Sequence, residues 1–277
     1  MAITAQDVNK LRQMTGAGMM DCKKALTESN GDFEGAVDIL RKKGQKVSAA
    51  RSDKEASEGS VFVKTNADNT EGVIVALNCE TDFVAKNDEF QNLGNLIVEK
   101  AFENNPSTTE ELLSIKVDNR PLSEHITDLI GKIGEKVEVS SYERVKGEKV
   151  VPYVHYGSKL GVLVSLKGVN GTDVTEVGKD VAMQIAAMRP IAVDKDDVDS
   201  KTIEREIEIG KEQARAEGKP EAMLEKIAQG KLNKFYKEST LLNQEYVKDN
   251  SKTIAQLLDS VNKGLTVKEF KRISIGS

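Results

Sequence analysis

The sequence predicts an α+β protein with an antiparallel core and separate helical regions. A strand pattern followed by a helical pattern occurs twice, first around residues 72–79 and again around residues 161–166. Apolar residues at helical spacing, without strand patterns, occupy residues 3–44 and residues 194–261. Helical segments set apart from a repeated strand–helix unit are typical of the α+β class.

Composition limits the function classes before any motif is considered. The chain has 277 residues, which suggests two domains with a small third, and its 40 basic and 45 acidic residues give a net charge of −5. That balance argues against general nucleic-acid binding, whose affinity comes largely from basic residues that neutralise phosphates. Two cysteines are too few for a disulfide scaffold, and no apolar run reaches the roughly 18 residues of a membrane span. We therefore expect a soluble, cytoplasmic protein.

Residues 1–54 are predicted to form a three-helix module. Thr4 and Asp7 form a capping-box pattern at the start of the first helix. Asp32 is expected to cap the third helix, and Gly44 is expected to end it. A module of this size is near the lower limit for a core that folds by itself.

A polar linker with some helical tendency is predicted to follow this module. Residues 45–59 contain almost no large apolar side chains. The charge changes sign across this stretch: 10 basic and seven acidic residues give residues 1–54 a charge of +3, whereas 14 basic and 22 acidic residues give residues 55–193 a charge of −8. The two regions are therefore expected to be separate units.

Residues 55–140 and 141–193 are predicted to be two related antiparallel subdomains. In the helix of each unit, apolar residues recur at offsets 0, 3, 7 and 11, counted from Phe90 and from Val174. From the strand glycine to that first apolar residue the chain takes 18 residues in the first copy and 13 in the second. The five extra residues lie within residues 79–86. A longer loop on a repeated scaffold is a natural place for function.

The C-terminal part of the chain is predicted to begin as a helical hairpin over residues 194–248. Its two helical patterns are separated by Gly-Lys-Pro at residues 218–220. Residues 249–277 are then expected to return to the core through a short capped helix and a strand-like stretch at residues 270–273.

Motifs for catalysis or cofactor binding are absent from the sequence. The Gly-Ala-Gly turn at residues 16–18 lacks the third glycine and the Lys-Ser/Thr of phosphate-binding loops, and it follows a helix rather than a strand. The two histidines are 30 residues apart and have no metal-ligand spacing, and both cysteines lie in apolar patterns. We expect no catalytic site, no bound metal and no cofactor, so an enzyme is the weaker hypothesis.

Three features fit protein recognition better than catalysis. Met19 and Met20 are neighbours on a helix, so their side chains point about 100° apart and cannot both enter a small core. Phe83 stands in the longer loop of a chain that has 12 aromatic residues. His155 lies in the cluster at residues 153–156, between two tyrosines. For each feature the alternative of an ordinary packed residue stays open.

Two long motifs carry a resemblance to a known family. Residues 14–26 have the sequence MTGAGMMDCKKAL, and residues 80–86 have the sequence ETDFVAK. The chain resembles bacterial elongation factor Ts, the guanine-nucleotide exchange factor of the GTPase elongation factor Tu. The resemblance implies a ubiquitin-associated-like N-terminal module, a core of two related subdomains, and an inserted helical hairpin that mediates dimerisation in the family.

The resemblance also implies roles for individual residues. In the family, a Thr-Asp-Phe-Val loop enters the GTPase beside its nucleotide and dislodges the bound Mg²⁺. The N-terminal module grips a GTPase helix, and a histidine of the second subdomain's hairpin arm contacts another GTPase domain. The matching positions here are Thr81, Asp82, Phe83 and Val84 for Mg²⁺ displacement, and Leu11, Met19, Met20 and His155 for partner binding.

These implications define the expected function. We expect an exchange factor that binds GDP-bound elongation factor Tu during translation, dimerises through residues 200–240, and binds neither nucleic acid nor membrane directly. The alternatives are a ubiquitin-associated-like adaptor without exchange activity and a hydrolase with an unrecognised site. Family members usually continue past a basic-aromatic strand into a C-terminal helical segment, whereas here residues 270–273 are followed almost at once by the last residue given, Ser277.

Overall fold

The computed structural model describes residues 3–276 and confirms the α+β class. After an all-helical start, groups of strands alternate with groups of helices along the chain. The helices are α1 Ala5–Thr15, α2 Met19–Glu28, α3 Phe33–Arg51, α4 Asp82–Ala85, α5 Asp88–Asn104, α6 Thr109–Ser114, α7 Leu122–Ile133, α8 Thr175–Met188, α9 Ser200–Ala216, α10 Leu224–Ser239 and α11 Ile254–Val261. The strands are β1 Glu58–Thr65, β2 Glu71–Cys79, β3 Lys116–Val117, β4 Arg120–Pro121, β5 Val137–Lys146, β6 Lys149–Val154, β7 Leu160–Lys167, β8 Glu245–Tyr246, β9 Asp249–Thr253 and β10 Thr266–Ser274.

The core consists of two three-stranded antiparallel sheets that pack face to face. The first sheet has the order β1-β2-β5 and the second the order β10-β7-β6. Apolar side chains alternate along the strands, so one face of each sheet meets the other sheet and the opposite face meets helices. Helices α5 and α7 cover the first sheet, and helices α8 and α11 cover the second. The result is a helix–sheet–sheet–helix arrangement.

Two glycines allow the sheets to approach each other closely. Gly72 of β2 faces Val150 of the second sheet, and a β-carbon on Gly72 would come within 3.0 Å of it. Gly161 of β7 faces the first sheet, where a β-carbon would come within 2.5 Å of Val61 and 2.9 Å of Ile74. These are the strand glycines of the two predicted copies, so the repeat extends to the interface between the sheets.

Helix glycines confirm the duplication and its five-residue difference. Gly94 of α5 lies against Phe62 of β1, and Gly178 of α8 lies against Val151 of β6 in the equivalent position. The distance from the strand glycine is 22 residues to Gly94 and 17 residues to Gly178. The five extra residues of the first copy are taken up by α4 and by an earlier start of α5.

The predicted boundary between the subdomains at residues 140 and 141 falls inside a strand. Strand β5 pairs with β2 from Val137 to Lys146, so it belongs to the first sheet throughout. The turn to the second sheet therefore follows Lys146. The sequence pattern missed this because most residues of β5 are only half-buried, so the strand carries a weak apolar signal.

The N-terminal module is formed by α1, α2 and α3 around its own small core. The capping box of Thr4 and Asp7 is present, and Asp32 caps α3 through the backbone N–H of Gly35. The predicted end of α3 at Gly44 is wrong, because the helix continues to Arg51. Gly44 is instead a buried interior position where α3 crosses α7, so its lack of a side chain serves helix packing rather than helix termination.

The helical hairpin of α9 and α10 is inserted into the second subdomain. The two helices pack closely where Gly210 faces Ala228. The chain enters and leaves the hairpin side by side, because Ser239 accepts a hydrogen bond from the N–H of Ile191 at 2.9 Å and Ala192 accepts one from the N–H of Leu241 at 3.0 Å. The predicted hairpin is thereby confirmed as a local excursion from the core.

Candidate functional site

Helix α4 presents an exposed phenylalanine at the end of strand β2. The helix has one turn, and the hydroxyl of Thr81 caps it by accepting a hydrogen bond from the N–H of Val84 at 3.4 Å. Phe83 is 82% exposed. A large apolar side chain so exposed in a chain with few aromatics is suited to contact a partner.

The other side of α4 is anchored in the first subdomain. Ala85 is buried, and Val84 packs against the core of the first subdomain. The carbonyl of Ala85 accepts a hydrogen bond from the side-chain amide of Gln91 at 2.6 Å. Phe83 therefore projects from a turn that is fixed on its inner face.

A buried thiol supports the start of the same turn. The Sγ atom of Cys79 donates to the carbonyl of Thr81 at 3.1 Å. Burial and, to a smaller extent, the nearby carboxylates of Glu135 and Glu58 raise the pKa of the Cys79 thiol to about 12. The thiol therefore stays protonated at neutral pH, which suits a hydrogen-bond donor and not a nucleophile.

Two carboxylates connect the α4 turn to the segment that follows α7. Glu135 accepts hydrogen bonds from the backbone N–H of Thr81 at 3.1 Å and from its hydroxyl at 2.9 Å. In the opposite direction, Glu80 accepts a hydrogen bond from the backbone N–H of Lys136 at 2.7 Å. Glu80 also pairs with Arg51 of α3 at 3.1 Å, so the end of the N-terminal module contacts the residue before Thr81.

Asp82 forms an ion pair on the surface of α4. Its carboxylate lies 2.7 Å from the Nζ atom of Lys86, four residues further along the chain. The hydrogen bond from Lys86 holds the pKa of Asp82 below its usual range, and the same contact raises the pKa of Lys86. Both groups are therefore charged at neutral pH, and Asp82 is available as a fixed negative charge beside Phe83.

His155 lies in a tight turn between β6 and β7. The hydroxyl of Tyr153 and the Nδ1 atom of His155 are 2.7 Å apart, which orients the imidazole ring. His155 is exposed, and Tyr156 next to it is fully exposed. The carbonyl of Ser158 accepts a hydrogen bond from the N–H of Val61 at 2.6 Å, so the turn is attached to the first sheet.

The structure places this turn beside α4. Asp82, Ala85 and Lys86 from the α4 region and residues 157–159 from the turn line one cavity of about 330 Å³. Thr81, Asp82, Phe83 and Val84 are therefore near the turn that carries His155, although the two segments belong to different subdomains.

The N-terminal module exposes two of the three residues predicted for it. Met19 is 43% exposed and Met20 is 75% exposed, so the alternative that both are packed is wrong. Leu11, in contrast, is fully buried in the module's core with Cys22 and Leu26. The expectation that Leu11 contacts a partner directly is therefore corrected: its side chain has no exposed surface and packs inside the module's core.

The sequence analysis missed the residues that hold α4 in place. Nothing in the local pattern indicates that Glu135 meets Thr81 or that Arg51 meets Glu80. Glu80 belongs to the motif at residues 80–86, but its contact with the backbone of Lys136 is not apparent from that motif. Glu135 does lie in the Lys-Ile-Gly-Glu stretch at residues 132–135, whose glycine ends α7 with a positive φ of 76°. The position of a polar residue directly after a helix-ending glycine is the one feature of the sequence that could have indicated Glu135.

The described part of the chain contains no obvious metal centre or membrane span. Within residues 3–276, no three side chains of the His, Cys, Asp or Glu types are grouped so that they could hold a metal ion. None of the helices in this range is both long and apolar enough to cross a membrane.

Comparisons with known proteins point to the same family as the motifs at residues 14–26 and 80–86. A family model described as Elongation factor TS matches residues 80–277. An elongation factor Ts from Cytophaga hutchinsonii is 65% identical over 274 residues, which is 99% of each chain. Relatives with the same name from Amoebophilus asiaticus and Chlorobium phaeobacteroides are 57% and 42% identical, over 100% and 99% of each chain respectively.

Proposed function

The chain belongs to the elongation factor Ts family, and on this premise we propose that it is the guanine-nucleotide exchange factor of a GTPase of the elongation factor Tu type. It binds the GDP-bound GTPase and promotes release of GDP during translation elongation. The observation that carries the proposal is Phe83, an exposed aromatic side chain on a turn anchored from its inner face. No catalytic group of the factor takes part.

In the proposed mechanism, Phe83 acts as a wedge beside the nucleotide site of the GTPase. Its ring occupies the partner's metal site region while Asp82 places a negative charge close to the metal's own acidic ligands. Mg²⁺ is displaced, so the charge of the GDP phosphates is poorly neutralised and GDP leaves. Thr81 and Val84 serve this step indirectly, because they cap and anchor the turn that presents Phe83.

Exchange of this kind follows from differential binding. If the factor lowers the affinity of the GTPase for GDP by some ratio, GDP lowers the affinity for the factor by the same ratio. GTP then refills the empty site and displaces the factor. The chain needs only to bind the metal-free form of the GTPase more tightly than the metal-bound form.

The other exposed residues extend the proposed contact with the GTPase. Met19 and Met20 provide soft, adaptable apolar contacts on the N-terminal module. His155 provides an oriented polar group on the second subdomain, close to α4. A partner that touches all three regions is held at more than one place, which keeps the wedge in position while the nucleotide leaves.

The decisive experiment measures release of a fluorescent GDP analogue from elongation factor Tu with and without this protein. Acceleration that saturates with the factor's concentration supports exchange. Binding without acceleration supports the adaptor alternative, in which the chain only tethers its partners. Absence of both binding and acceleration contradicts the proposal.

We also propose that residues 200–240 mediate self-association. Helices α9 and α10 pack on each other, while Phe235 and Tyr236 are only half-buried and form a ring pair 6.1 Å apart. Because residues 191–192 and 239–241 lie side by side, the hairpin can be replaced by a short linker without straining the core. Sedimentation of this variant should show a smaller species with most exchange activity retained; an unchanged oligomeric state would contradict the proposal.

A further inference from the structure

We propose that Glu135 is a positioning residue for exchange, whose carboxylate holds Thr81 and thereby orients helix α4 and Phe83. The inference deepens the proposed function and rests on it. It concerns a residue outside the Thr-Asp-Phe-Val segment.

The contact engages both hydrogen-bond donors of one residue. The Oε2 atom of Glu135 lies 3.1 Å from the backbone nitrogen of Thr81, and its Oε1 atom lies 2.9 Å from the Thr81 hydroxyl. When the hydroxyl donates to Glu135, its lone pairs remain free to accept from the N–H of Val84. One hydroxyl therefore both caps α4 and attaches that cap to Glu135.

The reciprocal contact on the neighbouring residue limits sliding of the two segments. Glu80 accepts from the N–H of Lys136, one residue beyond Glu135, while Glu135 accepts from the N–H of Thr81, one residue beyond Glu80. Hydrogen bonds to ionised carboxylates are stronger than those between neutral groups. Each segment thus provides a carboxylate for the backbone of the other. The hydrogen bonds of both carboxylates would have to break before α4 could shift.

Phe83 depends on this attachment because it has little packing of its own. Its side chain is 82% exposed, so the direction of the ring is set by the backbone of α4. A helix of four residues is far too short to be stable by itself. Its order must come from its attachments, which include Glu135 at the capping residue Thr81, the buried side chain of Ala85, and the hydrogen bond from Gln91 to the last residue of the helix.

The location of Glu135 ties this attachment to the core. Gly134 ends α7 in the left-handed conformation, and its N–H donates to the carbonyl of Ile130 at 2.8 Å. The chain therefore turns sharply, and the residue after the glycine is directed by a helix that is packed against the first sheet. Through its hydrogen bonds with Thr81, Glu135 attaches α4 to the end of that packed helix.

The test compares Glu135→Ala and Glu135→Gln in the full chain by GDP release from elongation factor Tu. We expect Glu135→Ala to slow release at saturating factor by about ten-fold, because two hydrogen bonds to a charged group are lost. Glu135→Gln should fall between Glu135→Ala and the unchanged protein, since an amide keeps one acceptor. Equal rates for all three proteins would overturn the proposal.

A double-mutant cycle separates positioning from general destabilisation. If Glu135 acts through Phe83, then Glu135→Ala should slow release much less in a Phe83→Ala background than in the unchanged protein. Full additivity of the two effects would overturn the proposal. Glu138→Gln is the matched control, because it changes a carboxylate three residues away that pairs with the Lys136 side chain and does not touch α4.

Amide hydrogen exchange reports on the attachment without the GTPase. In Glu135→Ala and Glu135→Gln, the amides of residues 81–85 should exchange faster, while those of α5 stay unchanged. If the unchanged protein fails to accelerate GDP release, the proposed function fails, and this measurement alone decides whether Glu135 orders α4. Unchanged exchange at residues 81–85 in both variants would overturn the attachment itself.

Discussion

Gly44 of α3 and Gly131 of α7 meet backbone to backbone where the N-terminal module joins the core. A β-carbon built on Gly131 would lie 2.8 Å from the Cα atom of Gly44, closer than real side chains approach. A β-carbon on Gly44 would in turn lie 3.2 Å from the carbonyl oxygen of Thr127. The module that carries Met19 and Met20 is therefore docked through a helix crossing that admits no side chain.

The first prediction concerns this crossing. Replacing Gly131 with alanine must push α3 away from α7, because the obstructing atoms are backbone and cannot rotate aside. We expect a loss of about 1–3 kcal/mol in the free energy of unfolding, as for other overpacked sites. Urea denaturation measures this loss, and limited proteolysis should find residues 52–57 more accessible.

Gly230 offers the matched control. It is also a helix-interior glycine, but a β-carbon there would meet nothing within 4 Å, and the position is exposed. Gly230→Ala should therefore raise stability by about 0.5–1 kcal/mol through helix propensity alone. A loss of stability at Gly230, or none at Gly131, would contradict this account of the crossing.

The second prediction concerns the wedge. Phe83→Ala should slow GDP release by about ten-fold or more, in line with the loss of an interface aromatic. The melting temperature should hardly change, because the ring is 82% exposed. Stopped-flow release of a fluorescent GDP analogue and a thermal melt provide the two measurements.

Asp82→Ala serves as the comparison for Phe83→Ala. It should have a smaller effect on release, because Asp82 acts by charge and already shares that charge with Lys86. Its stability effect should be close to zero, as for other exposed ion pairs. If Phe83→Ala lowered the melting temperature by several degrees and left exchange untouched, Phe83 would be a packing residue and the wedge mechanism would be wrong.

The third prediction concerns the N-terminal module. Deletion of residues 1–54 should leave the two sheets folded, because the module has a small core of its own around Leu11 and Leu26. The melting temperature should fall by a few degrees, since Val47 of α3 packs against the first subdomain and Arg51 pairs with Glu80. Affinity for the GTPase should fall sharply, which titration calorimetry measures. A circular-dichroism melt without a cooperative transition would show that the module is inseparable.

The fourth prediction concerns the orientation of His155. Tyr153→Phe removes the hydroxyl that lies 2.7 Å from Nδ1 and leaves the ring in place. We expect affinity for the GTPase to fall by about two- to ten-fold, the size of one neutral hydrogen bond. His155→Ala should lower the affinity at least as much, and adding Tyr153→Phe to it should change nothing further. An additional loss in the double variant would mean that Tyr153 acts independently of His155.

Local sequence patterns determined the helices, the strands and the repeated unit of this protein. The alternation of apolar residues along β2 and β7 and the 3.6-residue period of α5 and α8 specify the repeated unit, and glycine spacing shows that the first copy has five extra residues between its strand glycine and its helix glycine. Asp82, Phe83 and Val84 could be singled out from that spacing and from the motif that they form. These signals are local because strand and helix periodicity and capping depend on residues close in sequence.

Tertiary structure alone decided how those elements serve the site. Gly44 looked like a helix end, but it is the point where α3 and α7 touch, and this depends on how two surfaces cross. Glu135 reaches Thr81 across 54 positions of the chain, so no window of sequence contains both. Leu11 and Met19 both lie on apolar patterns, yet packing buries the first and exposes the second. A pattern records which residue types can be buried; which ones meet is settled only when distant elements pack together, because that packing determines the available space and the hydrogen-bond partners.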